Sequence, residues 1–228
     1  MSMNPGVSQH AAERPGGLIR WSGLAAMAAG LIFAGIQPVH PPDVLASVTT
    51  GVWTVITAVK LAMCFLFMAG LTGLHIRQQA EAGWLGLLGL VLFGASWALQ
   101  SGFVFAEVFI LPPLAEAAPE FVASYLSVVN GHPGTANIGV IAPAYVVVGL
   151  LYLSGGMAFG IATFRAGIFP RRPAGLLALT ALMTPGAALL PHAIQRMAAI
   201  PMGIALAWLG YALWSETRPS RGGSQNAE

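Results

Sequence analysis

Five strongly polar side chains lie inside long apolar stretches of this 228-residue chain, and their chemistry is complementary. They are two cations, one carboxylate and two amides: Lys60, Arg196, Glu107, Gln37 and Gln100. Charge inside an apolar segment is costly unless it is paired, hydrated or able to reach an interface. A guanidinium can hold a carboxylate or phosphate through two parallel hydrogen bonds, and a carboxylate can pass a proton. We therefore interpret these residues as a candidate ligand-binding site.

Counting helical turns places all five residues at one level. Lys60 is seven residues past a tryptophan, about 10 Å along a helix axis, and Arg196 is about 7 Å into its own apolar segment. Gln37 and Gln100 each follow a tryptophan of the other membrane interface by 16 residues, about 24 Å. Glu107 is two turns beyond Gln100 on the same helical face. We predict that Arg196 and Glu107 approach within salt-bridge range, directly or through one water. Lys60, if paired, is expected to contact Gln100 or a backbone carbonyl.

Histidines beside prolines extend this polar level into the segments between the apolar runs. His40 and His192 join the candidate ligand-binding residues, and Asp43 follows His40 by three positions. Together with His132, these groups could bind a metal or a haem at one membrane face. None has a tight ligand spacing such as His-x-x-x-His, so we predict no metal site, and the sequence specifies no cofactor.

Six apolar segments must position these residues. Charged residues are 8% of the chain and apolar residues 56%, whereas soluble domains carry about 25% charged residues. Each segment is near the ~20 residues that cross a bilayer as a helix. The sequence therefore predicts an all-α transmembrane helix bundle with six spans, 18–37, 52–75, 84–111, 138–165, 174–190 and 192–214.

Arginine placement predicts the orientation of the bundle. Eight of the ten basic residues fall in the two tails or in every second link: Arg14, Arg20, Arg77, Arg165, Arg171, Arg172, Arg218 and Arg221. Because cytoplasmic segments are enriched in Lys and Arg, both termini are expected inside the cell. We predict a disordered tail at 1–17, one transmembrane domain at 18–214 and a second disordered tail at 215–228.

Two further patterns concern packing and the longest external segment, 112–137. Residues 119–130, PEFVASYLSVVN, repeat apolar side chains at helical spacing, which predicts a short amphipathic surface helix. Small residues form ridges that let helices approach closely in lipid. These ridges, which favour packing within the chain over dimer contacts, are Ser22-Ala26-Gly30-Ala34, Ala199-Gly203-Ala207 and Gly156-x-x-x-Gly160.

Two stretches carry a resemblance to a known group of proteins. FGIATFRAGIFPRRPAGLLAL and LLPHAIQRMAAIPMGIALAWLGYALW resemble an uncharacterised family of six-span integral membrane proteins from actinobacteria and similar bacteria. The resemblance covers about residues 18–216. It implies a bacterial inner-membrane location. Since the family has no established activity, it implies no functional residue.

These observations favour a binding or transport protein whose outward-facing polar pocket takes a small anionic or lipid-like ligand, because Lys60 and Arg196 outnumber Glu107. One alternative is a membrane-embedded enzyme acting on a lipid or isoprenoid, with Glu107 and a histidine as acid and base. Another is a structural subunit of a membrane complex. The expected partners are the lipid bilayer, the ligand, and a second copy or other subunits, and nucleic acid is not expected.

Overall fold

The computed structural model describes residues 15–187 and 196–216, which form helices and the turns between them, with no β-strand in those ranges. Most of the predicted tails, 1–17 and 215–228, lies outside the described residues. Three described helical segments are long and apolar enough to cross a membrane: Gly17–Ile36, Gly51–Ala117 and Ile141–Ala166. The predicted all-helical class is confirmed, and these segments are typical of a membrane-embedded protein.

The helices are numbered here in chain order. They are α1 (Pro15–Ile36), α2 (Leu45–Val48), α3 (Gly51–Phe105), α4 (Leu111–Ala117), α5 (Pro119–Val129), α6 (Ile141–Ala166), α7 (Arg171–Ala187) and α8 (Ile200–Glu216). A π-helical turn, Ala106–Ile110, joins α3 to α4. Residues 196–197 are helical and a turn at 198–199 precedes α8, so the predicted span 192–214 is interrupted there, and its start at residue 192 lies outside the described residues. Pro201 occupies the first turn of α8, where a missing N–H costs nothing.

Helix α3 is a hairpin and not a rod. A straight helix of 55 residues would be about 80 Å long. Trp53 near its start nevertheless donates an indole hydrogen bond, 2.9 Å long, to the Glu107 carbonyl just beyond its end. The chain reverses at Gly83, whose φ of 56° and ψ of −154° are accessible mainly to glycine. We call residues 51–82 the first arm and residues 84–105 the second arm.

The residues between the predicted second and third spans, 76–83, are helical up to residue 82. One polar residue of this segment, Gln78, is held by a neighbouring helix. Gln78 is fully buried, and its amide donates a 2.8 Å hydrogen bond to the Thr163 hydroxyl of α6. The amide nitrogen is thus satisfied at this helix–helix contact, whereas the buried Gln78 Oε1 has no partner among the described residues.

The small-residue ridges pack inside the chain, as predicted. A side chain on Gly30 of α1 would meet the Gly203 carbonyl of α8 at 2.4 Å. A Cβ on Gly160, in the third predicted ridge, would meet the backbone nitrogen of Ala178 of α7 at 2.6 Å, and one on Gly155, next to that ridge, would meet the Phe93 backbone nitrogen of the second arm at 2.2 Å. None of these sites has room for a Cβ, so these glycines bring three pairs of helix backbones into contact.

One end of the bundle carries a cover of short helices. The predicted surface helix of the 112–137 segment is present as α5, and α2 and α4 pack beside it. Their apolar side chains form a cluster separate from the main core, made of Val48, Trp53, Leu111, Val122, Tyr125 and Leu126. We call this the capped end. Gly83 and the turn between α6 and α7 lie at the opposite end.

Candidate functional site

The π-helical turn positions Glu107, and sequence explains why the turn forms. Pro112 and Pro113 have no N–H, so they cannot continue the regular hydrogen-bond ladder of the helix. The Leu111 amide instead donates to the Ala106 carbonyl, five residues back. This leaves the Glu107 carbonyl without a backbone donor, and the Trp53 indole N–H supplies one at 2.9 Å. Trp53 thereby fixes the turn that carries the carboxylate.

Glu107 forms an ion pair with Lys60 of the first arm. The Lys60 Nζ to Glu107 Oε2 distance is 2.6 Å, and the carboxylate side chain is only 2% exposed. A charge-assisted hydrogen bond of this length offsets part of the cost of burying both charges. The predicted direct pairing of Glu107 with Arg196 is wrong, and so is the expectation that Lys60 contacts Gln100 or a carbonyl.

Arg196 pairs with Asp43, in the turn between α1 and α2. Its guanidinium also donates to the backbone carbonyls of His40 and Pro41, both at 3.4 Å. The Asp43 side chain is 3% exposed. Sequence reasoning considered Asp43 only as a metal ligand. The missed signal is that Asp43 is the only acidic residue between residues 14 and 80.

His40 lies between the two ion pairs. Its Nδ1 is 2.6 Å from the Pro41 carbonyl, which can only accept, so Nδ1 carries the proton. The other nitrogen, Nε2, therefore accepts a 3.3 Å hydrogen bond from Lys60. Burial, and then the nearby Lys60 ammonium, lower the pKa of His40 to about 4. The imidazole is consequently neutral at pH 7.

The four charged side chains and His40 form what we call the ionic network: Lys60, Glu107, Arg196, Asp43 and His40. Among the described residues, two cations face two carboxylates, and the histidine is neutral, so this part of the ionic network is charge-balanced. This corrects the expectation that cations predominate at the site, since the count in the sequence omitted Asp43. Removing one partner of such a buried pair typically costs about 3–5 kcal/mol.

Two cavities meet at the ionic network. The larger has a volume of about 630 Å³ and lies between the two arms, α6 and the end of α5. The smaller, about 270 Å³, is lined by Gln37, His40, Asp43 and Arg196 among others. Both are lined by Lys60 and Tyr145, so these side chains stand at their common wall.

The larger cavity lies beyond a close contact between the second arm and α6, on the side of the capped end. The two helices touch where Gly155 meets Phe93. Past this point the lining includes Trp97 and Gln100 from the second arm and Tyr152 from α6. No close approach by glycine continues the contact there.

The predicted site residues are distributed over both cavities. Gln100 lines the larger one. Gln37 lines the smaller one, although its amide donates to the Phe33 carbonyl of its own helix at 2.8 Å. Glu107 accepts a hydrogen bond from Lys60 within the ionic network and is absent from both linings. His192 lies outside the described residues.

Two hydrogen bonds connect the α5 segment of the capped end to the site and to the second arm. The Asn130 amide, just after α5, donates to the Asp43 carbonyl at 3.2 Å. The Tyr125 hydroxyl of α5 donates to the Phe103 carbonyl of the second arm at 3.0 Å. Burial raises the pKa of Tyr125 far above its usual range, so the phenol stays a donor. Movement of α5 would therefore disturb the turn that holds Arg196.

The fold and site define an all-helical protein with membrane-length apolar helices and a charge-balanced network beside an apolar cavity. Within residues 15–187 and 196–216, no group of three or more His, Cys, Asp or Glu side chains is arranged to hold a metal ion. Comparisons with protein-family models, with curated proteins and with solved structures found no match to the chain.

Proposed function

We propose that this protein is a six-span bacterial inner-membrane protein that binds a lipid-like amphiphile in the larger cavity. The six proposed spans correspond to α1, the two arms of α3, α6, α7 and α8. Eight of the ten basic residues lie in the tails or near the end that carries Gly83, which supports cytoplasmic termini and an outward-facing capped end.

A single observation supports the binding proposal most directly: a largely apolar cavity reaches the flank of the bundle and ends at a polar group. Val146 of α6 lines the cavity and is 62% exposed, and Gly149 beside it is also exposed. Lys60 lies at the inner wall. An amphiphile entering along α6 from the bilayer would place its apolar body against Met63 and Trp97 and its head near Lys60.

A purely structural role accounts less well for this cavity. Protein interiors are packed as densely as organic crystals, and voids larger than a water molecule are few. A volume of about 630 Å³ is within the ~300–1,000 Å³ range of small-molecule sites. An enzymatic role has less support, because the one buried acid beside Lys60 is already paired with it.

Filling the mouth of the cavity tests the proposal. A Cβ added at Gly149 would meet no other atom within 4 Å, so the backbone there has room for the first atom of a side chain, and Gly149→Leu should narrow the mouth of the cavity without disturbing the helix. We expect bound lipid to fall at least fivefold. Binding is measured by native mass spectrometry of purified protein, after incubation with vesicles containing phosphatidylglycerol, dioleoyl phosphatidate and dioleoylglycerol.

Gly102→Leu is the matched control. Gly102 is also a helical, exposed glycine with open space around it, but it does not line the cavity. This variant should bind lipid as the wild type does. Equal lipid binding by wild type and Gly149→Leu would contradict the proposal.

A further inference from the structure

The cations of the site are already committed to carboxylates. Lys60 Nζ is 2.6 Å from Glu107 and 3.3 Å from His40 Nε2. Arg196 is paired with Asp43. A phosphate or carboxylate head would have to displace one of these carboxylates and leave it buried beside a new negative charge. That arrangement is unfavourable where the two carboxylates are only 2% and 3% exposed.

Neutral polar groups in the larger cavity are uncommitted. The hydroxyls of Tyr145 and Tyr152 and the amide of Gln100 all belong to side chains that line it. Among the described residues, these three side chains have no hydrogen-bond partner. Nor are their polar atoms among those sealed from solvent without a partner, so they are accessible within the cavity.

The two phenol rings are held by aromatic neighbours. Tyr145 packs edge-on against Phe103, with ring centres 5.2 Å apart, and Tyr152 packs in the same way against Phe93 at 5.4 Å. Tyr145 and Tyr152 are two turns apart on α6, on the face that includes Gly149. Their hydroxyls therefore have restricted positions along one wall, and each can donate and accept a hydrogen bond.

From these contacts we propose that the ligand is an uncharged amphiphile whose head carries a hydroxyl or carbonyl oxygen, bound by Tyr145, Tyr152 and Gln100. This inference rests on the proposed lipid-binding function and narrows its ligand class. Glycerides and isoprenoid alcohols share the required chemistry, which is a neutral oxygen-bearing head on an apolar chain. Lys60 lines the common wall of the cavities and supplies no net charge for an anion.

Dioleoylglycerol and dioleoyl phosphatidate provide a matched pair of probes, because they share acyl chains and differ in head charge. In native mass spectrometry of the full-length protein, we expect wild type to bind dioleoylglycerol more tightly than dioleoyl phosphatidate. The Tyr145→Phe, Tyr152→Phe double variant should bind dioleoylglycerol about 5- to 150-fold more weakly, the range for losing two neutral hydrogen bonds. Its affinity for dioleoyl phosphatidate should stay within twofold of wild type.

Tyr211→Phe is the control, because Tyr211 lies on α8, is exposed and does not line the cavity. It should leave both affinities unchanged. Farnesol is tested in competition with dioleoylglycerol. If farnesol displaces bound dioleoylglycerol at a concentration lower than dioleoylglycerol itself requires, the head is assigned to an isoprenoid alcohol. If farnesol displaces it only weakly, the head is assigned to a glyceride. Both results support an uncharged head.

Two results would overturn the inference. One is tighter binding of dioleoyl phosphatidate than of dioleoylglycerol. The other is unchanged dioleoylglycerol binding by the double variant, provided that its thermal unfolding midpoint matches that of wild type. If either occurs while Gly149→Leu still blocks lipid binding, only the ligand class is wrong. If Gly149→Leu blocks nothing, the proposed function itself fails.

Discussion

At the scale of single residues, His40 connects the two halves of the ionic network. Its protonated Nδ1 faces the Pro41 carbonyl, and its Nε2 accepts from Lys60. Asp43 Oδ1 is 4.0 Å from Nδ1. A proton added to Nε2 would remove the acceptor that Lys60 uses and place a second cation 3.3 Å from it. The arrangement therefore favours the neutral imidazole strongly.

This arrangement predicts that acid destabilises the protein through His40. The folded-state pKa of about 4 is below the ordinary value of 6.5, so the unfolded chain binds the proton more readily between these values. The His40 contribution is complete above about pH 6.5 and is lost as pH falls towards 4, by on the order of 2–3 kcal/mol. Thermal unfolding at pH 7.5 and pH 4.5 measures the loss.

His40→Gln should show a smaller loss on acidification than wild type, because glutamine keeps polar atoms near Lys60 and does not titrate. The comparable change at an exposed histidine, His132→Gln, should leave the acid sensitivity at the wild-type level. An identical drop in unfolding temperature for wild type and His40→Gln would contradict the prediction.

The level of the polar residues could be predicted from sequence, but their partners could not. Counting turns gave Lys60 and Glu107 similar heights, and their side chains meet. Which side chains pair also depends on how each helix is rotated about its axis. The π-helical turn changes the direction in which the residues before Leu111 point. Asp43 was missed because its position depends on the path of an irregular turn.

At the scale of elements, the contact between α1 and α8 depends on glycines that no larger residue can replace without moving a backbone. Gly30 and Gly203 each lie within 3 Å of the other's backbone when a Cβ is added. Ala34 also borders Gly203, at 2.9 Å through its backbone nitrogen. The small-residue ridges could be predicted from sequence, because helices in lipid are not driven together by the hydrophobic effect. Their association relies on close packing, which requires small residues.

Gly30→Ala should therefore destabilise the protein, by about 1–3 kcal/mol, because the added methyl forces two backbones apart. Gly35→Ala is the control. Gly35 lies more than one turn further along the same helix, and a Cβ there would meet no atom within 4 Å. This variant should be neutral, or stabilising by up to about 1 kcal/mol, since alanine is the better helix former. Unfolding midpoints in one detergent compare the two, and equal midpoints would rule out the tight contact.

At the scale of the whole molecule, the proposed topology places the capped end outside the cell. Cys64 is fully buried, so single cysteines can be introduced elsewhere without replacing it. Glu120→Cys at the capped end should react with a membrane-impermeant maleimide in intact cells. Gln79→Cys at the opposite end should react only after permeabilisation. The reverse pattern would contradict the orientation and, with it, outward access to the ionic network.

The helical class followed from composition and from apolar segments of about 20 residues, because so few charges cannot solvate a soluble domain of this length. The larger cavity could not be predicted in that way. Its lining comes from side chains of several helices, and their meeting at one place leaves no periodic signal in the sequence. The helical structure of the first arm up to residue 82 could not be predicted for a similar reason, because the hydrogen-bond partner of Gln78 lies in a helix distant in sequence.

The reversal at Gly83 also has a consequence for the order in which the molecule assembles. The arms are joined by a single non-helical residue, so their contacts close short loops that cost little chain entropy. The contact between Gly30 and Gly203 closes a loop of more than 170 residues and becomes available only once α8 has been synthesised. The hairpin can therefore form while translation continues, and α1 must wait for its partner. The ionic network, which needs both Lys60 from the hairpin and Arg196 from near α8, is completed at the last step.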